Sequence, residues 1–270
     1  MTEKIIEISA VPSLIRPHAL IGIGGVLLRR KPMSILRSLT DAKCTDLNVA
    51  VFLGSIDIEW LAAHGSVSEV TAGYVGFESF GSAPAWSSWL KNGHCSMREM
   101  SEFMFIGGLR ASCSGIPFMP SRGASESQLV NDAKFKMVTC PYTGEELYAI
   151  PALTPDISFI HAESADRFGN VAAPSQKDFL WDADAILARA SKQVIVSVEK
   201  IVDTAEISET MLFAHEVSSV VLAPNGASPS GLPGLYQVNH PSLLGYLEEA
   251  KNCTSQEDFS KLIRSLVVQK

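Results

Sequence analysis

Charge is scarce in this 270-residue chain: Asp, Glu, Lys and Arg make up only 19% of it, against 46% hydrophobic residues. That balance excludes a disordered polymer, and 19 glycines and 14 prolines are too few for a collagen-like or low-complexity chain. Basic residues are the scarcer sign, 22 against 29 acidic ones, for a formal net charge of −7. With no basic cluster beyond Arg29-Arg30-Lys31, the chain does not read as a nucleic-acid binder. The five cysteines are odd in number, scattered and never spaced C-x-x-C, which argues against a disulfide framework or a zinc site. Reduced thiols in a cytoplasm are the expectation. Met1-Thr2-Glu3-Lys4 lacks the layout of a secretion signal, so the sequon Asn252-Cys253-Thr254 reads as coincidence. Long apolar runs are missing as well. Mean hydropathy is +0.16, yet the longest run, Ala19 to Leu28, is interrupted by Gly22, Gly24 and Gly25. It is about half the ~20 residues a bilayer requires. The surplus apolarity therefore points to a subunit interface rather than a membrane.

What is present is an alternation of apolar strands with helix-period segments. Strands are expected at Ala19–Ile23, Leu47–Leu53, Val70–Phe77, Ile157–His161, Gln193–Val198 and Val217–Leu222. Helices are expected from Pro32 through Leu39, and at Ile56–His64, Ala83–Asn92, Glu99–Ser112, Lys177–Ala190, Pro241–Ala250 and Gln256–Val268. Ser121–Asp132 reads as a polar surface loop. Continuous apolar strands separated by helices imply one α/β domain, doubly wound, with a mainly parallel sheet covered on both faces.

Several segments bear on chemistry, each with a plainer reading beside it. Gly22-Ile23-Gly24-Gly25 ends a strand, where small residues admit a ligand and N–H groups can receive an oxyanion; taken in isolation, a tight structural turn is the favoured reading. The G-x-G-x-x-G spacing of a dinucleotide site is absent. Arg29, Arg30 and Lys31 read as phosphate contacts or as a solvated cluster. Gly73-Tyr74-Val75-Gly76-Phe77-Glu78-Ser79-Phe80-Gly81 sets a carboxylate and a hydroxyl between glycines at a strand's carboxyl end, where open parallel sheets bind ligands; a glycine-rich turn with a merely solvated Glu is the plainer reading and, on sequence alone, the slightly favoured one. Glu99 and Glu102 stand at i and i+3 of an expected helix start, as dipole complement or as nucleophile or base. His161 and Glu163 follow a strand, and the turn Phe168-Gly169-Asn170 needs no function to explain its glycine. G-x-S-x-G, H-E-x-x-H and Walker patterns are absent, and the histidines form no metal-ligand spacing.

Taken in order, these segments resemble one family. Gly24-Gly25 with Arg30-x-Pro32, Tyr74-Val75-Gly76-Phe77-Glu78, Arg110-Ala111 with Gly115-Ile116-Pro117-Phe118, and Pro141-x-Thr143-Gly144-Glu145 are followed by Pro155-Asp156 with His161-Ala162. Asp166-x-x-Gly169-Asn170, Ala223-Pro224-x-Gly226-Ala227 and Gly231-x-x-Gly234-Leu235-Tyr236 complete the series. Over roughly residues 15–250 the chain is similar to the A-type member of two-subunit class I CoA-transferases, glutaconate CoA-transferase-like above all. The resemblance implies a doubly wound subunit paired with a homologous B-type subunit in a heterodimer or heterotetramer, the active site lying between them. It implies coenzyme A as co-substrate, with no permanently bound cofactor and no metal. A glutamate of the B-type partner would attack the thioester, and this chain would bind acyl-CoA and support the oxyanion through Gly24, Gly25, Arg30, Gly76, Phe77, Glu78 and Ser79. Gly25→Val is then expected to block ligand approach and leave the fold intact.

The chain departs from the transferase pattern in lacking a Ser-Glu-Asn-Gly segment, the carrier of the nucleophile in B-type relatives. Relatives with this layout also hydrolyse a carbon–carbon bond or decarboxylate a CoA thioester, and in the hydrolases a glutamate of the A-type chain does the chemistry. Glu102 is the positional match, with Glu99 a turn away as the alternative. The expectation is the A-type half of a CoA-transferase that works on a small or dicarboxylic acyl-CoA; the rivals are a hydrolase or decarboxylase using Glu102, and a non-catalytic partner chain.

Overall fold

The computed structural model describes residues 2–122 and 135–267. β1 (Leu20–Val26) and β2 (Leu47–Gly54) are nearly continuous apolar runs and lie at the middle of a parallel sheet, where both faces are covered. β3 (Val67–Val75) and β4 (Ser96–Glu99) extend the sheet on one side of β1. On the other side stand β8 (Ile157–Asp166), β10 (Val194–Val202) and β12 (Ser219–Leu222). The parallel order is thus β12-β10-β8-β1-β2-β3-β4, wound outward in both directions from the β1–β8 pair, as a doubly wound fold requires. Two short antiparallel pieces, β9 (Val171–Ala172) and β11 (Thr210–Leu212), follow the far end of β8. β5 (Phe118–Ser121), β6 (Lys136–Thr139) and β7 (Glu146–Pro151) make a separate antiparallel sheet that the sequence pattern did not announce. Most of the loop expected at Ser121–Asp132 lies outside the described residues, and Ser121 itself ends β5.

Helices cover both faces. α1 (Met33–Asp41), α2 (Ile56–Ala63) and α3 (Pro84–Lys91) share a core with Ile21, Ile23, Val49 and Val51, joined by the terminal helices α6 (His240–Ala250) and α7 (Gln256–Arg264). α4 (Glu102–Cys113) and α5 (Ala183–Ala190) pack with Ala50 and Phe52 in a second cluster. Local chemistry fixes several starts. Asn239 accepts the Ser242 N–H at 3.1 Å, and Ser255 and Asp258 cap each other's backbone at 3.2 and 3.0 Å.

Two helix starts differ from expectation for the same reason: a tertiary partner competes for the first turn. Glu99 is a strand residue opposite Ala72, and the Met100 N–H donates to the Ala72 carbonyl at 3.0 Å. The helix begins only after Ser101, whose hydroxyl accepts the Met104 N–H at 3.2 Å. Glu99 and Glu102 therefore do not share a helix face. Lys177–Asp182 is likewise not helical, because Leu180 adopts φ +58° and Asp178 is drawn to Arg30, so α5 starts at Ala183.

Candidate functional site

The point where the winding reverses, between the carboxyl ends of β1 and β8, is the crevice where doubly wound sheets bind ligands. Here the protein fills it with its own charges. Gly25 takes φ +75°, a conformation that favours glycine, and its N–H donates to Asp184 Oδ1 at 2.6 Å from the first turn of α5. A Cβ at this position would lie 2.5 Å from the Arg29 carbonyl oxygen and 2.7 Å from backbone atoms of Arg30. The expected oxyanion donor is thus occupied by an internal carboxylate, and Gly25→Val would strike backbone before any ligand. Gly24 is packed less tightly, its Cβ direction meeting Asp184 Oδ1 and Ile160 at 3.1 Å.

Neither reading of Arg29-Arg30-Lys31 survives for the last two members. Arg30 is only 3% exposed and Lys31 is fully buried. The Arg30 guanidinium pairs with Asp178 and, through Nε at 3.2 Å, with Asp184. Lys31 Nζ sits 2.9 Å from Asp57 Oδ2, 2.9 Å from the Leu53 carbonyl oxygen and 3.1 Å from that of Gly25. Burial lowers the Lys31 pKa, with Asp57 and Asp184 pulling it back up and Arg30 adding to the lowering. Arg29 alone reaches the surface. It bonds Glu78 Oε1 at 3.5 Å, approaches Asp178 at 3.8 Å and stacks 4.7 Å over the Phe179 ring. A chain of charges, Glu78–Arg29–Asp178–Arg30–Asp184, therefore runs from the open carboxyl edge into the crevice, with side-chain exposure falling from 33% at Arg29 to 3% at Asp184.

The Gly73–Gly81 segment reaches the same edge. Its bend needs φ +54° at Glu78 and φ +111° at Gly81, with the Phe77 N–H donating to the Gly81 carbonyl at 2.8 Å. Phe77 is fully buried and Gly76 lies under the Tyr74 ring, so of the expected contacts here only Glu78 and Ser79 face outward. Glu102 opens α4 over β3, its Cγ 3.4 Å from the Cβ direction of Gly73. It is exposed, and among the described residues its carboxylate makes no hydrogen bond or ion pair. Tyr74, Phe103 and Phe179, at 37%, 62% and 51% exposure, add apolar surface along this edge.

His161 and Glu163 line a small cavity with Arg30 and Asp184 behind this edge, each already held by an internal partner. His161 is buried, bonded to Ser197 at 2.9 Å and to Glu199 at 2.8 Å, while Glu163 accepts from Ser175. Glu199 also accepts the Tyr236 hydroxyl at 2.6 Å and the Asn225 N–H at 2.6 Å. Burial works against its charge, but the His161 and Tyr236 bonds outweigh that and hold its pKa below the usual range. The residues missed in sequence are those that organise the crevice: Asp184, Asp178, Asp57 and Glu199. Each is remote in sequence from its partner, and Asp57 and Asp184 look there like ordinary first-turn helix acids. Among the described residues, no cluster of His, Cys, Asp and Glu could hold a metal, and no helix is long and apolar enough to cross a membrane.

Comparison with known proteins agrees with this architecture. A family model described as coenzyme A transferase matches residues 6–218. The cholesterol ring-cleaving hydrolase IpdA subunit of Rhodococcus jostii (strain RHA1) is 32% identical over 275 residues, covering 95% of this chain and 90% of that one. The A-type chain of glutaconate CoA-transferase from Acidaminococcus fermentans is 28% identical over 272 residues, covering 92% and 82%. One chain in the crystal structure of a variant of the decarboxylase AibA/AibB superposes with a TM-score of 0.88 at 26% identity, covering 99% of this chain and 100% of that one. A mainly parallel doubly wound sheet, motifs in family order and similarity along almost the whole chain have one explanation: this chain belongs to the coenzyme A transferase family, as an A-type subunit.

Proposed function

We propose that this chain is the acyl-CoA-facing half of a heteromeric CoA-transferase, active only with a B-type partner that supplies the nucleophilic glutamate. The observation that carries this reading is the carboxyl edge itself. It is an exposed strip of Tyr74, Phe103 and Phe179 with Glu78, Arg29 and Glu102, the form of half a site awaiting a second surface. The partner's carboxylate would attack the thioester carbonyl, expelling CoA thiolate and leaving a mixed anhydride. The thiolate would then attack the glutamyl carbonyl, releasing the first acid and leaving glutamyl-CoA for an acceptor carboxylate. Glu78 and Ser79 would line the acyl pocket. Gly24, Gly25 and Arg30 would act from beneath it, by shaping the loop between β1 and α1.

A second reading, hydrolysis or decarboxylation of a CoA thioester, is favoured by Glu102, a carboxylate with no internal partner at the start of α4. The likeness to the ring-cleaving hydrolase subunit supports it too. The two separate in one experiment on the complex reconstituted with its B-type subunit, using glutaryl-CoA as donor and acetate as acceptor. Transfer yields acetyl-CoA and is reduced less than about threefold by Glu102→Gln. An acid/base role makes that substitution lower kcat by about 10²–10⁴-fold with KM held, and Glu99→Gln, on the neighbouring strand, leaves it unchanged.

A further inference from the structure

Lys31 is the one ammonium among the described residues with no access to solvent, and neither reading of its tripeptide accounts for it. Its three contacts come from three different elements: Gly25 at the end of β1, Leu53 at the end of β2, and Asp57 in the first turn of α2. The ammonium donates to the two strand-end carbonyls and forms an ion pair with the Asp57 carboxylate, three acceptor groups converging from the carboxyl edge. The surrounding backbone is tied to the same point. Asp57 Oδ1 accepts the Ser55 N–H at 2.6 Å, and the Ser55 hydroxyl bonds the Leu27 carbonyl. The Leu27 N–H donates to the Leu53 carbonyl at 3.0 Å, and the Lys31 N–H reaches the Ser230 hydroxyl at 3.1 Å. Between Gly25 and Lys31 the chain makes a tight turn with φ +53° at Leu27 and φ +56° at Arg30, and this turn carries Arg29 out to Glu78.

We propose that Lys31 is a positioning residue for the acyl-CoA reaction: its buried ammonium clamps the carboxyl ends of β1 and β2 to α2 and so sets the turn that presents Arg29 to substrate beside Glu78. A clamp made only for stability needs no charge, since a buried ion pair exchanged for apolar side chains of similar volume is often neutral or stabilising. An apolar pair would fill the space but could not hold two strand-end carbonyls, and strained turns persist only where their surroundings over-determine them. The proposal rests on the carboxyl edge being the acyl-CoA face.

The test compares wild type, Lys31→Met/Asp57→Leu and Glu78→Gln in the two-subunit complex, with glutaryl-CoA and acetate as probes. Melting temperature and hydrogen exchange of residues 26–30 are measured beside kcat and KM. Expected for the double variant are a single cooperative melt, below that of wild type because the Ser55 N–H and the Gly25 carbonyl lose their partners, faster exchange in the turn, and kcat reduced at least 30-fold with KM within about threefold. A well-folded double variant with kcat within threefold of wild type overturns the role of Lys31. If Glu78→Gln is impaired in that case, the face assignment stands; if Glu78→Gln is also unchanged, both fall. Should the double variant not fold, Asp57→Asn removes the counter-charge at constant volume. Facing Lys31 then remain Asp184, which favours its charge, and Arg30, which opposes it, so the ammonium loses its proton at lower pH. The alkaline limb of kcat must then move to lower pH with KM held, and an unmoved limb overturns the proposal.

Discussion

Gly25→Ala is the most direct probe of whether the glycine pair serves the fold or the ligand. Alanine adds one methyl group at φ +75°, where left-handed backbone costs a non-glycine residue about 1–2 kcal/mol. That methyl would sit 2.5 Å from the Arg29 oxygen and 2.7 Å from Arg30 backbone atoms, which cannot turn aside as a flexible side chain would. Overpacking of this kind adds about 1–3 kcal/mol. A loss of about 3 kcal/mol is a large part of the roughly 5–15 kcal/mol that holds a domain folded. It corresponds to a fall in melting temperature of roughly 6–12 °C. Gly24→Ala is the control: its Cβ would meet Asp184 and Ile160 at 3.1 Å with no left-handed backbone, so its loss should be markedly smaller. Thermal denaturation followed by circular dichroism reads both variants. Because the Gly25 N–H is already bonded to Asp184, catalytic loss should track loss of folded protein. A Gly25→Ala protein melting within 2 °C of wild type, yet catalytically dead, would refute this reasoning and restore a direct ligand role.

Asp184→Ala strips the buried Arg30 guanidinium of one counter-charge and orphans the Gly25 N–H; a loss of about 3–5 kcal/mol is expected in urea titration, with Asp184→Asn less damaging. Glu59, fully buried, accepts the Ala85 and Trp86 N–H groups at 2.8 and 2.9 Å and the Tyr246 hydroxyl, yet burial pushes its pKa up to about 7. The folded state then binds the proton more tightly than the unfolded chain, so stability present below pH 4.5 is lost as pH rises to about 7. The loss amounts to about 3 kcal/mol at 1.36 kcal/mol per pKa unit. Melting temperatures across pH 5–8 should show this slope in wild type and not in Glu59→Gln. Arg122→Ala should leave the melting temperature unchanged within about 1 °C, because its bond to Glu145 joins a side chain 75% exposed to one 38% exposed.

The architecture is legible in the chain before any contact is known. The apolar runs that open β1, β2, β8 and β10, set between helix-period segments, read as interior strands of a parallel sheet, and the glycine, proline and Asx signals between them mark the order of the turns. Family membership is legible on the same ground, because its motifs are turns and strand ends whose residue types follow from backbone geometry. Helix starts are less legible. Glu99 looks helical by periodicity, yet Ala72 offers its neighbour a strand partner, and Lys177–Asp182 yields to the pull of Arg30 on Asp178.

What the charged residues do was settled only when the chain folded. Arg29, Arg30 and Lys31 are one basic run in the sequence, but the β1–α1 turn sends the first to the surface and the other two into the protein. Their counter-charges, Glu78, Asp178, Asp184 and Asp57, come from as far away as 154 positions along the chain. No spacing rule links such partners, because they are brought together by the winding of the sheet and selected by the cost of leaving a charge unpaired away from water. Burial likewise separated the expected contacts: Phe77 went inward to the core, while Glu78, Ser79 and Glu102 were left at the carboxyl edge.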